Sequence, residues 1–143
     1  GPKAEEADYE SVAAEQGAVV AIERFAADTT QLYERAGALL ELGEYASESD
    51  PELRVFSEAG ARATLGVLRT LAVGLHRAGA LRSDLEIRHA VDSAYAVSHF
   101  ANHRLLRARR RWSRARYERW LVATLASALL DPDRMDGHGL RRW

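Results

Sequence analysis

Apolar side chains recur every three or four residues along most of this chain, a spacing that predicts helices rather than strands. From Ala18 onward, Val19, Ile22, Phe25, Ala26, Thr29, Leu32, Tyr33 and Ala36 fall on one helical face. Leu39, Leu40, Leu42 and Tyr45 form a short further segment beyond Gly37, which reads as a kink or junction. A second stripe, Leu53, Phe56, Gly60, Ala63, Val67, Leu71, Gly74, Leu75 and Ala78, predicts a helix from Pro51 to about Ala78. Its two glycines admit close approach of another helix or of a ligand. A third helix is expected from roughly Leu85 to Ala108. It has a narrow face of small residues (Ile87, Ala90, Val91, Ala94, Ser98, Ala101) and a mixed opposite side (Asp92, Ala96, His99, Phe100, His103). In the last helix Tyr117, Trp120, Leu121, Thr124, Leu125 and Ala128 share one broad stripe, wider than a small domain's own core requires. Lys3 to Gln16 is helical in composition but polar, and reads as the end of a helix that begins outside this chain.

The predicted boundaries have local chemical causes. Gly17 breaks the first segment. Asp50-Pro51-Glu52 combines an N-cap, a proline with its φ already set, and an acid in the first turn. Gly79 suits the left-handed position after a helix end, and Ser83 or Asp84 is expected to cap the helix that follows. Ser113 is the expected N-cap of the last helix and Pro132 its stop. No alternation of strand type occurs. The expected class is all-α, a bundle of about five helices over residues 3–132, with a disordered tail at 133–143.

Composition narrows the function. The 143 residues suffice for one domain with its own core. The absence of cysteine removes disulfides, thiolate metal sites and thiol nucleophiles. No run approaches a membrane span and the start lacks a signal-peptide pattern, so the expected location is cytoplasmic without membrane attachment. Gly1-Pro2 reads as a cleavage scar, implying an excised fragment. The net charge of −1 conceals an asymmetry: residues 1–60 carry four basic and fourteen acidic side chains, against sixteen and seven in residues 61–143. The two halves attract each other, within the fold or across a dimer, or each solvates its own helices.

Several motifs in order resemble the C-terminal regulatory half of TetR-family transcriptional repressors. They are Asp50-Pro51-Glu52-Leu53, then Leu75-His76-Arg77-Ala78-Gly79-Ala80-Leu81-Arg82-Ser83-Asp84-Leu85, then Arg104-Leu105-Leu106, Trp112-Ser113 and Arg116-Tyr117-Glu118-Arg119-Trp120-Leu121 through Leu129-Leu130. The resemblance covers roughly residues 18–132. It implies a homodimer in which the last two long helices pair with their twofold mates as a four-helix interface. It also implies a pocket for a small, largely apolar effector that controls DNA binding by an N-terminal helix-turn-helix, a segment absent from this chain. The turn before Trp112 often carries glycine in relatives, whereas Arg109-Arg110-Arg111 stand here.

On this reading the effector-binding residues are Phe25, Thr29, Leu32 and Tyr33, with Phe56, Gly60 and Ala63, and with Tyr95, His99 and Phe100: mostly apolar, with a few polar anchors. The alternative for each is plain core. The dimer interface is assigned to Ile87, Val91, Ala94, Ser98, Ala101, Tyr117, Leu121, Thr124, Leu125 and Ala128. A second reading is a helical dimerisation or protein-docking domain without a functional pocket.

Other candidate chemistry is thin. His99 and His103, four apart with Asp92 nearby, have a spacing that chelates a divalent metal, but no full ligand set is evident, and titrating pocket histidines are the alternative. A metal-dependent regulator or enzyme using this pair is a third reading; no metal or cofactor is assigned. Eight arginines crowd residues 104–119, suited to phosphates, to solvent, or to the acidic N-terminal half. No nucleophile–base set, paired carboxylates or Gly-rich phosphate loop is present, so catalysis is not expected.

Overall fold

The computed structural model describes residues 8–134. Among these the chain is helical and contains no β-strand. The elements are α1 (Tyr9–Gln16), α2 (Ala18–Ala46), α3 (Pro51–Arg77), α4 (Ile87–Ser98), α5 (Phe100–Arg104), which runs on into a π-helical turn (Leu105–Arg109), and α6 (Arg114–Leu129), before a final 3₁₀ turn (Pro132–Arg134). Five helices result if α4 and α5 are counted as one broken rod. No helix among the described residues is long and apolar enough to cross a membrane.

Local chemistry sets most of the ends as expected. Asp50 accepts from the backbone N–H groups of Glu52 and Leu53 at 2.9 and 3.4 Å, and Ser113 accepts from that of Arg116 at 3.1 Å. Gly79 takes φ 71° after α3, and the chain turns back so that Ala80 and Leu81 both donate to the carbonyl of Leu75. α1 has its own N-cap, since Asp8 accepts from Ser11 at 3.1 Å. Among the described residues it is therefore a short capped helix beginning at Tyr9; residues 3–7 of the expected segment lie outside the described residues. Gly17, at φ 101°, turns the chain from α1 into α2.

Three expectations change. α2 is continuous through Gly37 to Ala46, with neither kink nor junction. The helix expected over Leu85–Ala108 begins at Ile87 and breaks at His99. Neither Ser83 nor Asp84 caps it; Glu86 holds the N-cap position, and Asp84 pairs with Arg82 at 2.9 Å. The tail expected to be disordered lies outside the described residues from 135 onward, as does the Gly1-Pro2 scar.

The core forms where α2, α3, α4 and α6 converge, around Ile22, Leu68, Leu71, Leu75, Leu121, Leu125 and Leu129. α1 closes one end. Tyr9 sets its ring edge-on to Phe25 with centroids 5.6 Å apart, and its hydroxyl donates to Asp28 at 2.7 Å. This close seating needs Gly74, where a Cβ would stand 2.8 Å from the Glu10 Cα. The end of α6 is tied to the turn after α3, where Leu81 and Leu130 make a single antiparallel bridge. Arg82 N–H donates to Leu129 and Asp131 N–H to Ala80, each at 2.9 Å.

Candidate functional site

Most of the buried polar chemistry lies in one seam between α2, α5 and α6. On α2, Thr30, Tyr33, Glu34 and Gly37 recur at three–four spacing and share a face. Gly37 lets α5 approach: a Cβ there would lie 3.6 Å from His103 Nδ1 and 3.7 Å from Arg104 Cδ. Across the seam stand His103 from α5 and Tyr117 from α6.

The break between α4 and α5 positions His103, and side chains cause it. The Asn102 amide donates to the carbonyls of Ala96 and Val97 at 2.7 and 3.1 Å. Tyr33 reaches across from α2 to donate its hydroxyl to the Ser98 carbonyl at 2.7 Å. His99, at ψ 143°, then caps α5 by accepting from Ala101 N–H at 3.1 Å. The carbonyls freed by the break are thereby satisfied. The π-helical turn follows directly, an irregularity that often accompanies functional positions.

Electrostatically the seam centres on Glu34. Arg107 grips its carboxylate with two hydrogen bonds of 2.9 and 2.6 Å, and a third guanidinium N–H donates to the Trp112 carbonyl at 2.7 Å. His103 Nε2 lies 2.5 Å from the same carboxylate. The Arg107 hydrogen bonds, ahead of the one from His103, hold the Glu34 carboxyl down at about 2. Burial holds the His103 imidazole below its ordinary value against the opposing pull of Glu34. His103 is then neutral at pH 7 and donates from Nε2, which leaves Nδ1 as a pure acceptor. Burial likewise raises Tyr33 to about 12 and pushes the Tyr117 hydroxyl up.

Three buried atoms here have no hydrogen-bond partner: Thr30 Oγ1, His103 Nδ1 and Tyr117 Oη. Thr30 and Tyr117 are 0% exposed and His103 4%. The His103 ring meets Tyr117 edge-on at 4.8 Å between centroids and lies 5.6 Å from Tyr33. Leaving such groups unpaired costs about 1–3 kcal/mol each. The arrangement can donate and accept hydrogen bonds in a dry setting; it holds no activated nucleophile.

The ten expected effector residues do not gather into one pocket. Tyr33 lines the seam, and Phe25 is core behind α1. Thr29, Tyr95, His99 and Phe100 are half-buried along its outer side. Leu32 is 46% exposed, and Phe56, Gly60 and Ala63 lie in the open, Phe56 at 72%. Their stripe on α3 is real, but nothing among the described residues covers its N-terminal half. A depression of about 490 Å³ opens elsewhere, between α1 and the end of α3, lined chiefly by Ala13, Ala14, Gly17, Ala18, Gly74 and Ala78. Its wall of glycine and alanine offers little to recognise, apart from the Glu10–Arg77 ion pair at its side.

The interface assignment needs correcting. Ala94, Ser98, Tyr117, Leu121 and Leu125 are at most 3% exposed within the single chain and have no surface left for a second copy. Val91 is nearly covered; Ile87, Thr124 and Ala128 remain half-exposed and Ala101 exposed. The wide stripe of α6 serves the chain's own core.

The histidine pair is also separated. The break at His99 removes the helical register, and the two imidazoles take different partners, Glu44 at 3.8 Å from His99 and Glu34 for His103. No group of three metal-ligating side chains forms among the described residues. Two of the clustered arginines meet the acidic half, Arg107 on Glu34 and Arg104 on Glu41. Arg116 stacks over Trp112 at 4.1 Å, and Arg109, Arg110 and Arg111 face solvent. Thr30 and Glu34 escaped sequence reasoning. Their only signal was polarity at helical spacing on an otherwise apolar face.

No protein-family model matches the chain, nor does any curated protein or solved structure.

Proposed function

We propose that this chain is the effector-binding and dimerisation domain of a TetR-like transcriptional regulator, with the α2–α5–α6 seam as its effector site. The observation that carries this reading is the set of three unpartnered polar atoms buried beside the Glu34–Arg107 pair. Unpaired polar groups inside a helical core favour an occupant that pairs them. The all-helical fold and the motif resemblance agree with the regulatory setting. A ligand at the seam would touch α2, α5 and α6 together. The half-exposed positions on the last long helices, Ile87, Thr124 and Ala128, are the surface proposed to meet the twofold mate. Seam occupancy thereby reaches the dimer geometry, and through it a DNA-reading segment outside this chain.

Native mass spectrometry of the protein as purified tests the reading. The expected result is a dimer, with added mass of a few hundred daltons per subunit where the effector survives purification. A monomer without added mass would overturn it.

One observation favours the alternative of a protein-docking helical domain. Leu39, Leu42, Tyr45, Val55 and Phe56, on the facing ends of α2 and α3, are each at least 62% exposed. A concentration of large apolar side chains of this kind marks interaction surfaces.

A further inference from the structure

We infer that the turn after the π-helical segment and the start of α6 together bind single-stranded nucleic acid. Arg109, Arg110, Arg111, Arg114, Arg116 and Arg119 are all exposed here. None of the six makes an ion pair among the described residues. The nearby carboxylates of α2 are engaged elsewhere, Glu34 by Arg107 and Glu41 by Arg104, and Glu118 is the one acid between Arg104 and Leu130. Three of the six stand where folding favours other residues. Arg111 holds the left-handed backbone that suits glycine. Arg114 and Arg116 lie in the first turn of α6, which has no acid, at the positive end of the helix dipole. Strain and like-charge crowding kept at an exposed surface are marks of a ligand clamp.

The side chains specify the ligand. Guanidinium forks match phosphate oxygens, and the backbone N–H groups of Arg114 and Ala115, which have no acceptor within the helix, add donors of the same polarity. The charges extend along roughly 8 Å of α6 and around the turn before it, so they suit a chain of phosphates better than a single one. The aromatic part favours unpaired bases. The Arg116 guanidinium lies 4.1 Å over the Trp112 ring, and Trp112 is braced edge-on by Trp120 at 6.5 Å between centroids. Bases stack on aromatic rings and on guanidinium planes once they are out of a duplex. A membrane fits less well: from Arg109 to Arg119 no large apolar side chain is exposed, Trp112 being half-buried and Tyr117 buried, so nothing there enters lipid. The seam takes no part in this site, and the effector reading neither supports it nor falls with it.

Fluorescence anisotropy of labelled strands of about twenty nucleotides, titrated with the full chain, tests this. Oligo-dT is expected to bind with a Kd of about 10 μM or below at about 50 mM salt, and log K should fall against log salt with a slope of about −3 to −4, as for roughly five phosphate contacts. A strand of equal length without bases should bind roughly tenfold more weakly. Arg109→Gln, Arg110→Gln and Arg111→Gln combined should weaken oligo-dT by about tenfold or more and roughly halve the slope; Arg114→Gln with Arg119→Gln serves should that variant fail to fold. Arg116→Lys keeps the charge, so it should leave the slope while bringing oligo-dT towards the base-free strand. Arg62→Gln with Arg69→Gln, exposed on α3, should change nothing. Absence of binding at low salt, equal binding of the two strands, or an equal loss from the α3 pair would overturn the site. Tighter binding to poly-glutamate or to phosphatidylserine vesicles than to oligo-dT would also overturn it, giving the patch to an acidic protein or to a membrane.

Discussion

His103 Nε2 on α5 lies 2.5 Å from a carboxylate oxygen of Glu34 on α2, sixty-nine residues away in the chain. The contact joins the acidic and basic halves of the sequence inside the fold, and it makes stability depend on acid in a defined direction. Both groups titrate lower in the folded chain than their ordinary values of 6.5 and 4.5. The folded state therefore binds these protons less readily than the unfolded one, and acidification costs stability through both. The urea midpoint should begin to fall below about pH 6.5 as His103 comes into play. It should fall further between pH 4.5 and about 2 as Glu34 is protonated. The second stage amounts to about 2 kcal/mol after allowance for the partial exposure of Glu34. Glu34→Gln should flatten that stage. An unchanged acid limb in Glu34→Gln would show that the carboxylate is not held as described.

Two glycines on one helix should respond oppositely to alanine. At Gly74 a Cβ meets the backbone of α1 at 2.8 Å, so Gly74→Ala must displace that helix. We expect a loss of about 1–3 kcal/mol and faster hydrogen exchange over α1. At Gly60 nothing lies within 4 Å. Gly60→Ala should instead stabilise by about 0.5–1 kcal/mol, through helix propensity alone. Denaturant titration of the two variants checks both signs.

Charge introduced on α6 separates core from interface. Leu121 is fully buried, so Leu121→Asp should unfold the chain by circular dichroism. Thr124→Arg, at a half-exposed position, should keep the helices and turn the proposed dimer into a monomer in sedimentation. A Thr124→Arg protein that remains dimeric would move the interface off this face.

Arg111 occupies the left-handed region at φ 58°, a conformation that favours glycine. Arg111→Gly should raise the melting temperature, by about 0.5–1 kcal/mol of stability at the transition. A lower melting temperature would mean that the arginine side chain contributes more than its backbone costs.

The legibility of this fold in its sequence follows from where each cause is located. Asp50-Pro51, Gly79 and Ser113 act on backbone groups within four residues, and each was readable from neighbours alone. The break at His99 has no glycine or proline to announce it. It depends on Asn102 reaching back to Ala96 and Val97 and on Tyr33 arriving from another helix, and only the second partner is invisible to local reading. Periodicity found the stripe of Phe56, Gly60 and Ala63 but carries no information on what covers it. The same limit misplaced Leu121 and Tyr117, since an apolar face looks alike whether it meets its own core or a second copy. Tyr33 and His99 were singled out near the right place, whereas Thr30 and Glu34 gained meaning only once α5 lay against them.

The paired hydrogen bonds at Arg82–Leu129 and Ala80–Asp131 make a clasp. Everything from α4 to α6 is strung between its two sides, so that stretch forms a closed ring of chain hung on the end of α3. α6 cannot peel away alone without opening the clasp, and the clasp cannot open without freeing both ends of the ring. A displacement of α6 therefore loads the base of α3 through the clasp, and one of α5 loads the outer part of α2 through Arg104 on Glu41 and His99 beside Glu44.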